Sequence, residues 1–127
     1  MYHYTALVTL LAIAFYFFTS TQVARARYKY GVKLPAISGH PDFERVFRVQ
    51  MNTLEQLVIF VPAMLLFAHY VEPRIAAALG VIFVIGRFWY FRSYVRDPRA
   101  RSAGFGVSFL PNMILLLGGL IGAAIHL

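Results

Sequence analysis

The chain has 127 residues, of which 60% are hydrophobic and only 13% charged, and it carries a net charge of +7. Soluble domains run at about 45–50% apolar and about 25% charged, and a chain this short cannot hide such an apolar excess from water, so the composition excludes an ordinary soluble globule and points to lipid as the solvent. There is no cysteine, which excludes disulfides, thiolate metal ligands and a protein thiol nucleophile; any thiol chemistry must use a thiol that a ligand brings.

The first apolar stretch, Thr5 to Ala24, holds no charge. It lacks a basic segment before Thr5 and is longer than the apolar core of a signal peptide, so a membrane span is expected rather than a leader. A long connection follows, punctuated by Gly31, Pro35, Gly39 and Pro41, which predicts a loop. The second stretch, Val49 to Val71, contains one charge, Glu55. A tight turn at Glu72-Pro73 leads to the third, Ile75 to Phe91, whose one charge is Arg87. Asp97-Pro98 breaks this span and is expected to open the fourth helix. The last stretch, Ser102 to Leu127, is uncharged.

Each stretch is about long enough to cross a hydrocarbon core of roughly 30 Å, and backbone in lipid must satisfy its own hydrogen bonds, so each is expected to be a helix. The reading is an all-α, four-helix integral membrane bundle with up-down topology. It forms a single domain over 1–127, with spans near 5–29, 44–71, 74–96 and 101–126. Eleven of the twelve Lys and Arg residues flank the first and third connections, and Arg74 alone flanks the second. This places connections one and three in the cytoplasm and both termini on the opposite side. It also explains the positive charge without nucleic acid.

The polar residues of span two form a stripe. On a helix, Arg45, Arg48, Asn52 and Glu55 fall within a sector of about 80°. Gln56 lies just outside it, and Gln50 points elsewhere. A carboxylate inside a span costs a few kcal/mol and marks a functional site by default. A cation, an amide and an anion in series suit a zwitterionic ligand with carboxylate, amide and amine groups. The stripe fits equally an internal Arg48–Glu55 bridge that locks helices. Arg87, Tyr90 and Tyr94 share a face of span three; the tyrosines suit either a site or an interfacial aromatic belt. Arg101 suits a site or a cytoplasmic anchor. His3, His40, His69 and His126 have no partners at metal-ligand spacing, so no metal is expected. Gly118 and Gly122 suit helix packing.

These residues carry a family resemblance. Phe43-Glu44-Arg45-Val46-Phe47-Arg48-x-Gln50-x-Asn52-x-x-Glu55, with Arg87-x-x-Tyr90-x-x-x-Tyr94 ending span three, resembles the membrane-associated proteins in eicosanoid and glutathione metabolism (the MAPEG family), and within it a bacterial-type microsomal glutathione transferase-like member. The resemblance implies a homotrimer in the bacterial inner membrane, with glutathione as co-substrate between subunits near the cytoplasmic side. It implies a detoxifying transferase that conjugates glutathione to lipophilic electrophiles, with peroxidase activity on lipid hydroperoxides in many members. By position, Arg48, Asn52 and Glu55 would contact glutathione, Tyr90 and Tyr94 would line its site, and Arg27 and Gln50 would come from the adjacent subunit. Arg101 falls where the leukotriene C4 synthase branch has the Arg that stabilises the thiolate. Gln56 stands where eicosanoid-synthesising members usually carry an aromatic residue, which argues against a leukotriene substrate. The non-enzymatic five-lipoxygenase-activating branch typically lacks the Arg found here as Arg48, which favours an enzyme. The alternatives are a non-catalytic lipid-binding protein of the same fold and a small transporter carrying a proton or cation on Glu55.

Overall fold

The computed structural model describes residues 2–127. Four long helices account for most of it: α1 His3–Tyr30, α2 Pro41–Tyr70, α3 Pro73–Arg96 and α4 Ser102–Ile125. All four are long and apolar enough to cross a membrane. At 1.5 Å per residue they measure about 36–45 Å, so their ends extend beyond a hydrocarbon core of about 30 Å.

Local chemistry sets the boundaries. Pro41 is the first residue of α2 rather than part of the preceding loop. His40 supplies the cap, its Nδ1 accepting the backbone N–H of Asp42 at 3.1 Å. Pro is tolerated there because the first N–H groups of a helix have no intrahelical partner. Glu72 caps α3 in the same way, accepting from the Arg74 N–H at 2.8 Å, with Pro73 next. Pro98 departs from expectation: it opens a single 3-10 turn, Pro98–Ala100, and α4 begins only at Ser102. The cause is Asp97, whose carboxylate accepts the Arg99 N–H at 3.0 Å and closes that turn.

The helices pack around two apolar clusters. The larger holds Phe60 and Phe83, stacked at 4.1 Å between centroids, with Met64, Phe67, Ala76 and Leu115. The smaller lies at the basic end and joins Val23, Ala26, Val32, Phe43 and Val46. Thr5, Thr9, Thr19, Thr53, Ser108, Asn112 and Arg87 are also buried, whereas Phe17 is 70% exposed, Val58 66% and Leu120 64%. Polar groups inside and large apolar groups outside is the distribution that lipid imposes.

The closest approach is between α3 and α4. A Cβ on Gly86 would lie 2.5 Å from the backbone nitrogen of Ser108, and one on Gly104 would lie 2.4 Å from that of Tyr90. Two glycines thus let main chain rest on main chain. Gly118 likewise faces the Phe67 ring of α2, a packing contact.

Candidate functional site

Polar faces of α2, α3 and α4 converge where the basic residues collect. Arg48 and Asn52 of α2, Tyr90 and Tyr94 of α3, and Arg101, Ser102 and Phe105 at the start of α4 line a cavity of about 620 Å³. That volume is within the usual range for small-molecule sites. The Tyr90 ring lies 5.5 Å from that of Tyr94 and 6.0 Å from that of Phe105. Asn52 Oδ1 is buried and has no hydrogen-bond partner. In a wall of this kind it is an acceptor waiting for a donor.

Arg87 supports the cavity from within the bundle. Its guanidinium carbon lies 4.4 Å from the centre of the Tyr90 ring, in cation–π range. The side chain is fully buried. Nη2 donates to Thr53 Oγ1 at 2.8 Å and Nη1 to Ser108 Oγ at 3.3 Å, while Nε is unpartnered. Among the described residues Arg87 forms no salt bridge.

Arg48 and Glu55 do form a pair, Nη2 to Oε1 at 3.7 Å, with side chains 51% and 56% exposed. The distance is too long for a hydrogen bond, and exposed pairs of this kind contribute little to stability. Arg101 is exposed and donates from Nη1 to its own turn, at Pro98 O, 3.3 Å. The Arg99 N–H holds the neighbouring Asp97 carboxyl below the usual carboxylate range.

The cavity gathers Arg48, Asn52, Tyr90, Tyr94 and Arg101. Glu55 reaches it only through Arg48. Arg27 and Gln50 are elsewhere in this chain. Arg27 Nη1 donates to Ala36 O at 2.6 Å and its guanidinium stacks on Phe43. Gln50, which the helical wheel separates from the stripe, turns to α1 and donates to Ser20 Oγ at 3.0 Å. Arg45 leaves the stripe: Nη1 lies 3.4 Å from Val95 O and 3.2 Å from Arg96 O. Those terminal carbonyls of α3 attract a cation because they lack intrahelical donors. Thr53, Ser102, Phe105, Ser108 and Asn112 were not singled out from the sequence. Ser108 and Asn112 are each a lone hydroxyl or amide within an apolar run, whereas Thr53, Ser102 and Phe105 carry no such signal. A depression of about 570 Å³ beside Trp89, Arg92 and Arg96 draws all its lining from α3, so groups from different helices do not converge there.

Four membrane-length helices, three of which wall a cationic, tyrosine-lined cavity, define an integral, multi-pass membrane protein suited to holding a small anionic ligand. The chain belongs to the MAPEG family, whose profile it matches over residues 5–121. It is 48% identical over 116 residues to an uncharacterised protein of Synechocystis, an alignment covering 91% of this chain and 85% of the relative. It is 36% identical over 119 residues to human microsomal glutathione S-transferase 2, covering 94% and 81%. It is 33% identical over 121 residues to leukotriene C4 synthase of Cavia porcellus, covering 95% and 81%.

Proposed function

We propose that the protein is a membrane-bound glutathione transferase that conjugates glutathione to lipophilic electrophiles and reduces lipid hydroperoxides with the same thiol. The observation that carries this reading is the convergence of Arg48, Asn52, Tyr90, Tyr94 and Arg101 on one cavity in a chain without cysteine. The glutathione transferase among its relatives supports it.

The cavity fits the ligand's chemistry. Glutathione has two carboxylates, an ammonium, two amides and a thiol. Arg48 and Arg101 line the cavity, Arg87 lies behind Tyr90, and Glu55 pairs with Arg48. Three cations against one anion leave an excess of two positive charges, which matches the thiolate form. Arg48 holds a carboxylate through parallel hydrogen bonds, Glu55 takes the ammonium, and the free Asn52 Oδ1 accepts an amide N–H. Arg101 stands at the N-terminal end of α4, where the helix dipole also favours negative charge. The thiol proton leaves to water. The sulfur lone pair then forms the carbon–sulfur bond as the leaving group departs with its electron pair. For a hydroperoxide, two glutathione thiols are oxidised to a disulfide while the substrate is reduced to an alcohol and water.

The same reading includes an up-down homotrimer in the bacterial inner membrane. Connections one and three face the cytoplasm, and Arg27 and Gln50 serve the neighbouring site. A half-exposed Arg48–Glu55 pair within a span supports assembly, because charge facing lipid is costly and a second subunit would cover it.

The test is calorimetric titration of glutathione into the protein in lipid nanodiscs, with turnover of 1-chloro-2,4-dinitrobenzene on the same preparation. Micromolar to millimolar binding with conjugate formation is expected. No binding heat and no conjugate at millimolar glutathione would overturn the reading. A monomeric mass for a detergent complex that still turns over would overturn the trimer.

A further inference from the structure

One helical turn from the cationic cavity, α2 and α4 enclose a narrower groove of about 90 Å³, lined by Gln56, Ile59, Phe109, Asn112, Met113 and Leu116. Gln56 follows Asn52 by four residues and Phe109 follows Phe105 by four, so both helices advance about 6 Å between the two spaces. The Phe105 and Phe109 rings stack at 5.5 Å and form a continuous wall from one space to the other. The groove is apolar except for two amides, and Asn112 is only 2% exposed.

The hydrogen bonds fix how these amides are turned. Asn112 contacts the backbone carbonyl of Gln56 at 3.2 Å and its side-chain amide at 3.1 Å. A carbonyl oxygen can only accept, so the Asn112 atom facing it is Nδ2. The Gln56 side-chain atom receiving the same Nδ2 must then be Oε1. Two groups are left over. Asn112 Oδ1 is a buried acceptor with no partner. Gln56 Nε2 is a donor with no partner among the described residues. Unpaired polar groups inside a membrane protein are costly and call for a partner.

We infer that this groove seats the chain of the lipophilic co-substrate, and that Gln56 and Asn112 bind a hydroxyl carried on it. A hydroxyl donates to Asn112 Oδ1 and accepts from Gln56 Nε2 at once. Carbonyl, ether and carboxylate oxygens only accept, and alkyl or aryl carbon does neither. The preferred electrophiles are therefore hydroxylated lipids whose hydroxyl lies several carbons from the reacting centre, matching the one-turn offset from the thiol site. The inference deepens the transferase reading and rests on it for the thiol's position; the hydroxyl pair itself is tested by binding.

The experiment uses the full chain in nanodiscs and a series of octadecenoic acids hydroxylated at successive carbons, with the unhydroxylated parent. Each displaces a fluorescent fatty acid in wild type, Asn112→Leu and Gln56→Leu. Glutathione binding is measured in parallel. In wild type at least one isomer is expected to bind about tenfold tighter than the parent. In Asn112→Leu that advantage should fall to within about twofold while parent binding is unchanged or tighter. Should Asn112→Leu not assemble, Gln56→Leu at its partly exposed position carries the same expectation. The inference is overturned if no isomer has an advantage, or if the advantage survives both substitutions. It is also overturned if both variants alter subunit assembly without altering selectivity, which would make a second copy of the chain the groove's occupant. Absence of glutathione binding in the wild type would sink the transferase reading and leave the hydroxyl result to stand or fall by itself.

Discussion

Arg87 Nη2 donates to Thr53 Oγ1 at 2.8 Å, and both side chains are fully buried. Thr53 gives its own hydroxyl proton to Val49 O at 2.8 Å, so its oxygen is free to receive the guanidinium. The bond ties α3 to α2 directly behind Tyr90. Thr53→Val keeps the shape and deletes the acceptor, which strands part of a buried cation. A loss of about 2 kcal/mol is expected, read as a lower melting temperature in detergent. An unchanged melting temperature would show that the cation finds an equal partner elsewhere.

The α3–α4 contact gives a paired prediction. In Gly104→Ala the new methyl meets Tyr90 backbone, which cannot rotate aside. The helices must separate, with a loss of about 1–3 kcal/mol and weaker glutathione binding. In Gly106→Ala nothing lies within 4 Å of the added carbon, so only helix propensity changes and the variant gains about 0.5–1 kcal/mol. Thermal unfolding and glutathione titration of both variants check this. Equal behaviour of the two would refute the close contact.

Arg101→Ala is expected to leave glutathione bound and to move the thiolate titration to higher pH. A model thiol has a pKa of about 8.5, and a two-unit depression by a fixed cation corresponds to about 2.7 kcal/mol. At pH 7 the thiolate fraction then differs about 25-fold. Lower intrinsic nucleophilicity takes back roughly eightfold, so the net effect of ionisation on rate is a few-fold. Ultraviolet absorbance of the bound thiolate reads the shift. The turn that carries Arg101 does not confuse the result. Asp97 has its pKa lowered by the Arg99 N–H, so its capping is fully present above the ordinary Asp value and fades only as pH falls through the depressed one. An unmoved titration would make Arg101 a surface anchor.

Glu55→Gln separates a ligand contact from a brace. The Arg48–Glu55 pair is long and half-exposed, so its loss should change stability by under about 1 kcal/mol. Glutathione affinity should fall about tenfold or more, because the ammonium loses a charged acceptor. A variant that fails to assemble yet binds normally would identify the pair as structural.

Helical periodicity makes part of this candidate site legible in the sequence. Arg48 and Asn52 share a face, as do Arg87, Tyr90 and Tyr94, and those relations hold within a single helix. What periodicity does not carry is the facing of one helix against another. Arg45 belongs to the same stripe by angle, yet the bare carbonyls at the end of α3 draw it away. Asn112 is a lone amide in an apolar run, and its meaning emerges only beside Gln56. Pro41 and Pro98 show the same limit at helix ends, where the caps from His40 and Asp97 decide whether a proline closes a loop, starts an α-helix or starts a 3-10 turn.

The glycine seam has an evolutionary corollary. Because main chain rests on main chain at Gly86 and Gly104, the spacing between Tyr90 and the start of α4 is set by two backbones and not by any rotamer. On the proposed reading, side chains deeper in the α2–α4 groove, at Gln56 and Asn112, can be exchanged while that α3–α4 spacing at the cavity stays fixed. Such a layout would separate the part of the molecule that holds the thiol from the part that selects its partner. Single substitutions around Gln56 and Asn112 would then open the way to new substrates while leaving the nucleophile's proposed berth intact.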